Sequence, residues 1–176
     1  MKLNLGCGPH HRPEGYVHVD REEAANPDVH ADLELPWPWN DQSVDEILMN
    51  HVMEHLSDHK HIYKEAYRVL KPGGIFQINV PHHLSESFYG DPTHVKPVTL
   101  QQLSCLSQRL NRDTMAKGYA NSPLGIYLGV DFEVEKVAFN LTPAFKDKGL
   151  SNDALDYAIA HLFDVIDEMR FTLRRV

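Results

Sequence analysis

The chain has 176 residues, 42% of them hydrophobic and 24% charged, with a formal net charge of −8 at pH 7. That length suits one domain, residues 1–176, with a core large enough to need no staples. No apolar run approaches the ~20 residues of a membrane span, the acidic balance argues against a broad nucleic-acid footprint, and two cysteines, Cys7 and Cys105, cannot build a disulfide framework.

Lys2-Leu3-Asn4-Leu5 reads as a short strand entering a tight turn, Gly6-Cys7-Gly8. A strand starting so early leaves no room for a leader, so a cytoplasmic protein is expected. Tyr16-Val17-His18-Val19-Asp20 is a second short strand ending in an acid. Only Pro9 to Gly15 separates the two, and no helix of normal length fits there. Asp32-Leu33 follows, then Pro36-Trp37-Pro38-Trp39, whose indoles suit a packed loop at the sheet edge better than a ligand wall. Val44 to Met49 is a third major strand, ending at Asn50-His51.

A helix is expected from near Ser57 to Leu70, because Ile62, Ala66, Val69 and Leu70 share one helical face. Lys71-Pro72-Gly73-Gly74 ends it, and Ile75 to Pro81 returns as a strand with Phe76, Ile78 and Val80 on one side. Residues 82–98 are polar and irregular. Thr99 with Gln102 signals a capping box opening one helix through Leu103, Leu106 and Leu110, followed by a loop over 111–125. Phe132 to Leu141 reads as a strand. A long amphipathic helix is expected from about Asn152 to Glu168, carrying Leu155, Ile159, Leu162, Phe163 and Ile166 for core or dimer packing. Arg170 to Arg174 either closes the sheet as an edge strand or prolongs that helix.

The sum is an α/β protein with a doubly wound, mostly parallel, Rossmann-like sheet, truncated on its N-terminal side, with a late antiparallel strand. A strand, a glycine turn and a strand ending in Asp is how such a sheet holds a nucleoside. The glycines admit a close backbone approach, and the acid accepts hydrogen bonds from ribose hydroxyls.

In their order, Leu5-Gly6-Cys7-Gly8, Val19-Asp20, Asp32-Leu33, Leu35-Pro36-Trp37-Pro38 with Ser43-Val44-Asp45, His51-Val52-Met53-Glu54-His55-Leu56 and Tyr67-Arg68-Val69-Leu70-Lys71-Pro72-Gly73-Gly74 resemble class I S-adenosylmethionine-dependent methyltransferases over residues 2–110. The resemblance implies that Gly6, Cys7 and Gly8 line the methionine part of the cofactor. It implies that Asp20 binds the ribose, that Asp32 and Leu33 flank the adenine, and that Asn50 and His51 face the sulfonium region. The activity implied is methyl transfer to oxygen or nitrogen of a small-molecule acceptor. A binding module without catalysis is the alternative, motivated by the shortened front half. A homodimer is left open.

Methyl transfer needs an in-line nucleophile and, for an alcohol or amine, a base. Candidates cluster in His51 to His55 and in His82-His83 with Asp91 to His94; His51 and His94 are the first choices for catalysis. Small-RNA 2′-O-methyltransferases and ubiquinone-pathway O-methyltransferases, which this chain resembles here, carry Glu-x-x-Glu-His and hold a divalent metal with it. The corresponding set is His51, Glu54 and His55, with His94 as the distant histidine. His-x-x-Glu-His also fits a zinc hydrolase using His51, Glu54 and His55, which requires a long helix bearing both histidines.

Overall fold

The computed structural model describes residues 1–176. Its strands are β1 (Lys2–Leu5), β2 (Val17–Asp20), β3 (Val29–His30), β4 (Val44–Asn50), β5 (Leu70–Pro81), β6 (Phe132–Leu141) and β7 (Ile166–Arg175). They form one seven-stranded sheet in the order β3-β2-β1-β4-β5-β7-β6. Strands β1 to β5 pair in parallel, and β7 runs antiparallel between β5 and β6. Strand order reverses between β1 and β4, the switch point where open α/β sheets bind ligands beyond the carboxyl ends of their strands. No helix is long and apolar enough to cross a membrane.

Period-two alternation decides which face is covered. Registers Leu3↔Ile47, Leu5↔Met49, Ile47↔Phe76, Met49↔Ile78, Ile78↔Phe171 and Phe76↔Leu173 put these side chains on one side of the sheet. All are essentially inaccessible and belong to one cluster of 26 buried residues. Each contributes roughly 1.5–3 kcal/mol by leaving water. The opposite face carries Lys2, Glu46, Asn50, Gln77, Asn79, Arg170, Thr172 and Arg174. Parallel sheets are ordinarily apolar on both faces; here the second face is mostly polar. Lys2, Tyr16 and Gln77 converge on Glu46 there, and Arg174 pairs with Glu135.

Helix α1 (His59–Val69) lies on the apolar side, burying Ile62, Tyr63, Ala66 and Val69. Asp58 caps it by accepting from the backbone N–H groups of Lys60 and His61, so it begins two residues after the expected start. The Trp37–Trp39 loop is packing, as expected. Trp37 is buried, its indole donates to Leu33 O at 3.0 Å, and its backbone N–H donates to Glu65 at 2.7 Å. Arg68 ties that loop to α1 through Trp37 O, Trp39 O, Glu65 and Asp41.

No helix joins β1 to β2. The connection is pinned by Asn4 Nδ2 donating to His11 O at 2.7 Å, and by Arg12 Nη1 donating to Ala25 O and Asn26 O, both at 3.1 Å. Between β2 and β3 there is only a short 3-10 turn, Glu23–Ala25.

After β5 comes a single turn, α2 (Glu86–Tyr89). Three elements differ from expectation beyond it. The helix from Thr99 is two pieces, α3 (Leu100–Ser104) and α4 (Gln108–Ala116), although its capping box is present. The break arises because Cys105 O accepts from Gly125 N–H and Asn111 Nδ2, while Ser107 Oγ caps α4. Residues 111–125 are correspondingly not all loop: α4 extends to Ala116, and α5 (Leu124–Leu128) follows.

The expected helix over Asn152 to Glu168 is also cut short. After α6 (Pro143–Lys146), α7 (Asn152–His161) stops at His161, and Ile166 opens β7. Asp164 turns the chain at a φ of +59°, and pairing with both β5 and β6 outweighs the apolar periodicity. Core packing is not the role of α7: only Ala158 is buried on it, and Leu162 and Phe163 beyond it are exposed. Arg170 to Arg174 is strand, but interior to the sheet; β6 is the edge.

Candidate active site

Beyond the carboxyl ends of β1, β2 and β4 lies a cleft of about 250 Å³ lined by Gly6, Asp20, Arg21, Glu22, Ala31, Asp32, Leu33, His51, Val52, His55 and Leu56. Six residues singled out from sequence meet there: Gly6, Asp20, Asp32, Leu33, His51 and His55. Cys7, Gly8 and Asn50 do not line it. The Cys7 thiol is buried and pushed up in pKa by that burial. Asn50 Oδ1 accepts from Asn79 Nδ2 at 2.9 Å on the polar face of the sheet.

Gly6 shapes the floor. Its φ is +67°, and a Cβ placed on it would stand 2.5 Å from Val52 Cγ2, so only glycine lets the turn pass this close to Val52. Gly8 acts through its backbone, donating its N–H to Asp20 Oδ2 at 2.9 Å. Asp20 Oδ1 accepts from Glu22 N–H at 3.0 Å. The carboxylate at the end of β2 is therefore oriented by two backbone amides, with further lone pairs free for a ligand diol. Asp32 Oδ1 accepts from Glu34 N–H at 2.9 Å, a local turn that fixes its position beside Leu33.

His51 closes the other end. It follows β4 with a φ of +54°, a conformation uncommon for a residue with a Cβ and one that clusters at functional sites. Its Nδ1 lies 3.3 Å from Glu54 and its Nε2 3.0 Å from Glu168. These carboxylates, Glu54 foremost, raise its pKa against the opposing effect of burial. Glu168 escapes sequence reasoning because it reaches His51 only through the antiparallel register Pro81↔Glu168. Arg170 Nε and Asn140 Nδ2 both donate to Glu168 Oε1 and hold it.

Behind His51 is the 3-10 turn Met53–His55. The buried His59 ring donates to Met53 O at 2.7 Å and anchors it. Glu54 O accepts from Val95 N–H and Lys96 N–H at 2.8 and 3.3 Å, docking residues 91–96 against the turn. This brings His94 to His55, with ring centroids 4.6 Å apart. His94 is thus behind the cleft, not on its lining. The zinc-hydrolase reading fails on geometry: a left-handed residue and one 3-10 turn occupy 51–55, where that reading requires a long helix.

Comparison with known proteins agrees with this architecture. A family model described as a methyltransferase domain matches residues 12–78. A probable S-adenosylmethionine-dependent methyltransferase of Mycolicibacterium smegmatis is 38% identical over 125 residues, which cover 58% of this chain and 46% of that protein's length. Among solved structures, a SAM-dependent methyltransferase from Archaeoglobus fulgidus superposes with a TM-score of 0.67 at 20% identity, over 98% of this chain and 85% of that one. Phosphoethanolamine N-methyltransferase 2 of Haemonchus contortus, in complex with S-adenosylmethionine, gives 0.57 at 21% identity, over 98% and 48% respectively. The strand order, the glycine turn and the acid at the end of β2 agree with the fold of these methyltransferases, to which the chain is similar, and the chain spans about half the length of the curated relative it matches.

Proposed function

We propose that this protein transfers a methyl group from S-adenosylmethionine to oxygen or nitrogen of a small-molecule acceptor. One observation carries the reading: Asp20, fixed by the amides of Gly8 and Glu22, sits in a cleft at the sheet's switch point, opposite Leu33 and His51. The residues fit the cofactor. Gly6 leaves room that a side chain would fill, Asp20 offers acceptors for a ribose diol, and Ala31, Asp32 and Leu33 offer an adenine wall.

When bound, S-adenosylmethionine supplies an electrophilic methyl group with a good leaving group. The chain's own work is then to orient and to exclude water. Gly6, on the cleft floor, is assigned to the methionyl end and His51 to the sulfonium end, while Gly8 acts through Asp20, and Cys7 and Asn50 lie off the lining. His51, on the lining, is assigned to the acceptor side; His94, behind the cleft with its Nδ1–H donating to Phe88 O at 2.7 Å, packs on His55 of that lining. The acidic chain favours a neutral or cationic acceptor.

Calorimetric titration with S-adenosylmethionine and S-adenosylhomocysteine, with and without a chelator, tests the reading. Micromolar binding of both, followed by methylation in an acceptor screen, is expected. Failure of both to bind would overturn it.

A further inference from the structure

Antiparallel neighbours such as β6 and β7 can be joined by a tight hairpin turn. Here residues 142–165 intervene, carrying α6 and α7. A connection that long within a compact domain is ordinarily functional. Its base is closed: Thr142 N–H donates to Val165 O at 3.0 Å, and Thr142 Oγ1 donates to Asp164 O at 2.9 Å. Asp164 also ties the connection to the segment after β5. Its N–H donates to Leu84 O at 2.8 Å, and its Oδ1 accepts from Glu86 N–H at 2.9 Å. Ser87 Oγ donates to Asp167 Oδ1 at 2.5 Å beside it.

The two segments joined in this way both expose large apolar side chains. Leu84 and Tyr89 are 40% and 65% exposed on one, and Leu162 and Phe163 are 47% and 55% exposed on the other. The Tyr89 and Phe163 rings meet across the seam, with centroids 6.1 Å apart. Apolar side chains scattered singly over a surface need no explanation, but a cluster held in place by a hydrogen-bonded seam marks a binding surface.

The seam is continuous with the cleft. It stands at the carboxyl end of β5, where Pro81 is the register partner of Glu168, which holds His51 on the cleft lining. A run of rings also leads inward from it. Tyr89 to Phe88, Phe88 to His94 and His94 to His55 have centroid separations of 5.2, 5.4 and 4.6 Å, and His55 lines the cleft. Three carboxylates, Glu86, Asp164 and Asp167, line a hollow in the seam and repel an anionic occupant.

We propose that α2 and the 142–165 connection form the acceptor-binding rim, and that the acceptor is a neutral or cationic small molecule with an apolar aryl or alkyl body resting on Tyr89 and Phe163. This names the substrate class of the methyl transfer proposed above and rests on that reading.

The test is fluorescence titration of S-adenosylhomocysteine-saturated protein with N-phenyl-1-naphthylamine, an uncharged aryl amine that brightens in apolar sites. One saturable site is expected. Tyr89→Ser and Phe163→Ser should each weaken it about tenfold, by removing apolar area from the contact. Tyr127→Ser, which removes an exposed ring on α5, should change nothing. Octylamine should displace the probe at lower concentration than octanoate, and acceptors found in the methylation screen should displace it too. Circular dichroism and S-adenosylhomocysteine affinity, unchanged in every variant, separate lost binding from lost folding. Probe binding equally strong in folded Phe163→Ser protein, or a methylated acceptor that fails to displace the probe, overturns the proposal. So does a dimer, or sedimentation with phosphatidylcholine vesicles, that Phe163→Ser abolishes, because the patch then serves a second copy or a lipid surface. S-adenosylhomocysteine binding without a probe site removes only the apolar rim and leaves the methyltransferase reading standing.

Discussion

The backbone N–H of Gly8 donates to the carboxylate of Asp20 at 2.9 Å. The glycine turn after β1 and the acid at the end of β2 are thus one unit. The turn aims the carboxylate before any ligand arrives. Asp20→Ala removes that acceptor and should weaken S-adenosylhomocysteine binding by about 1–3 kcal/mol, measured by calorimetry. Unchanged affinity would show that Asp20 only braces the turn.

Gly6 should be intolerant of the smallest side chain. Gly6→Ala meets Val52 Cγ2 at 2.5 Å and forces an L-residue to a φ of +67°. A loss of about 1–3 kcal/mol in stability is expected from the backbone alone. Val52→Ala in the same protein should recover the steric part and not the conformational part. Urea denaturation of both variants separates the two.

Arg68 is a structural clamp and not a site residue. Its guanidinium reaches Glu65, Asp41, Trp37 O and Trp39 O together. A lysine ammonium cannot span that fork. Arg68→Lys should lower unfolding free energy by about 1–2 kcal/mol, the group being partly exposed, and leave S-adenosylhomocysteine affinity unchanged.

His82 should make the fold acid-sensitive above the carboxylate range. Burial, helped by neighbouring His83, depresses its pKa to about 4. Its Nδ1 accepts from Leu84 N–H at 3.3 Å, a bond that a proton there would cancel. The unfolded chain takes up this proton near pH 6.5, the folded one only near 4. Between these values the unfolded state binds more protons, so stability falls as pH drops through that window and levels off below it. Urea midpoints at several pH values should show this slope, and His82→Gln should flatten it.

The front of the molecule was readable because its signals are local. Gly6, Gly8 and Asp20 lie within one short stretch, and their residue types admit few other uses. Prolines between β1 and β2 announced the missing helix equally well. The rear was less readable because its partners are remote. Glu168 meets His51 across 117 positions of sequence through a strand register, and Thr93 reaches the His55 ring from a separate segment. Leu162, Phe163 and Ile166 continue the helical period of α7, yet they lie beyond its end. Nothing local distinguishes a helix that ends at His161 from one that continues.

The one-sided sheet has a consequence for how this protein can change. Along β5, Phe76, Ile78 and Val80 are locked into the core while Gln77 and Asn79 look the other way. A saturation scan should therefore trace a comb, with every second tooth missing, where ordinary doubly covered sheets show an unbroken ridge of intolerance. Those permissive teeth form a surface on which charge can be rewritten, up to the end where Arg170 holds Glu168 against His51.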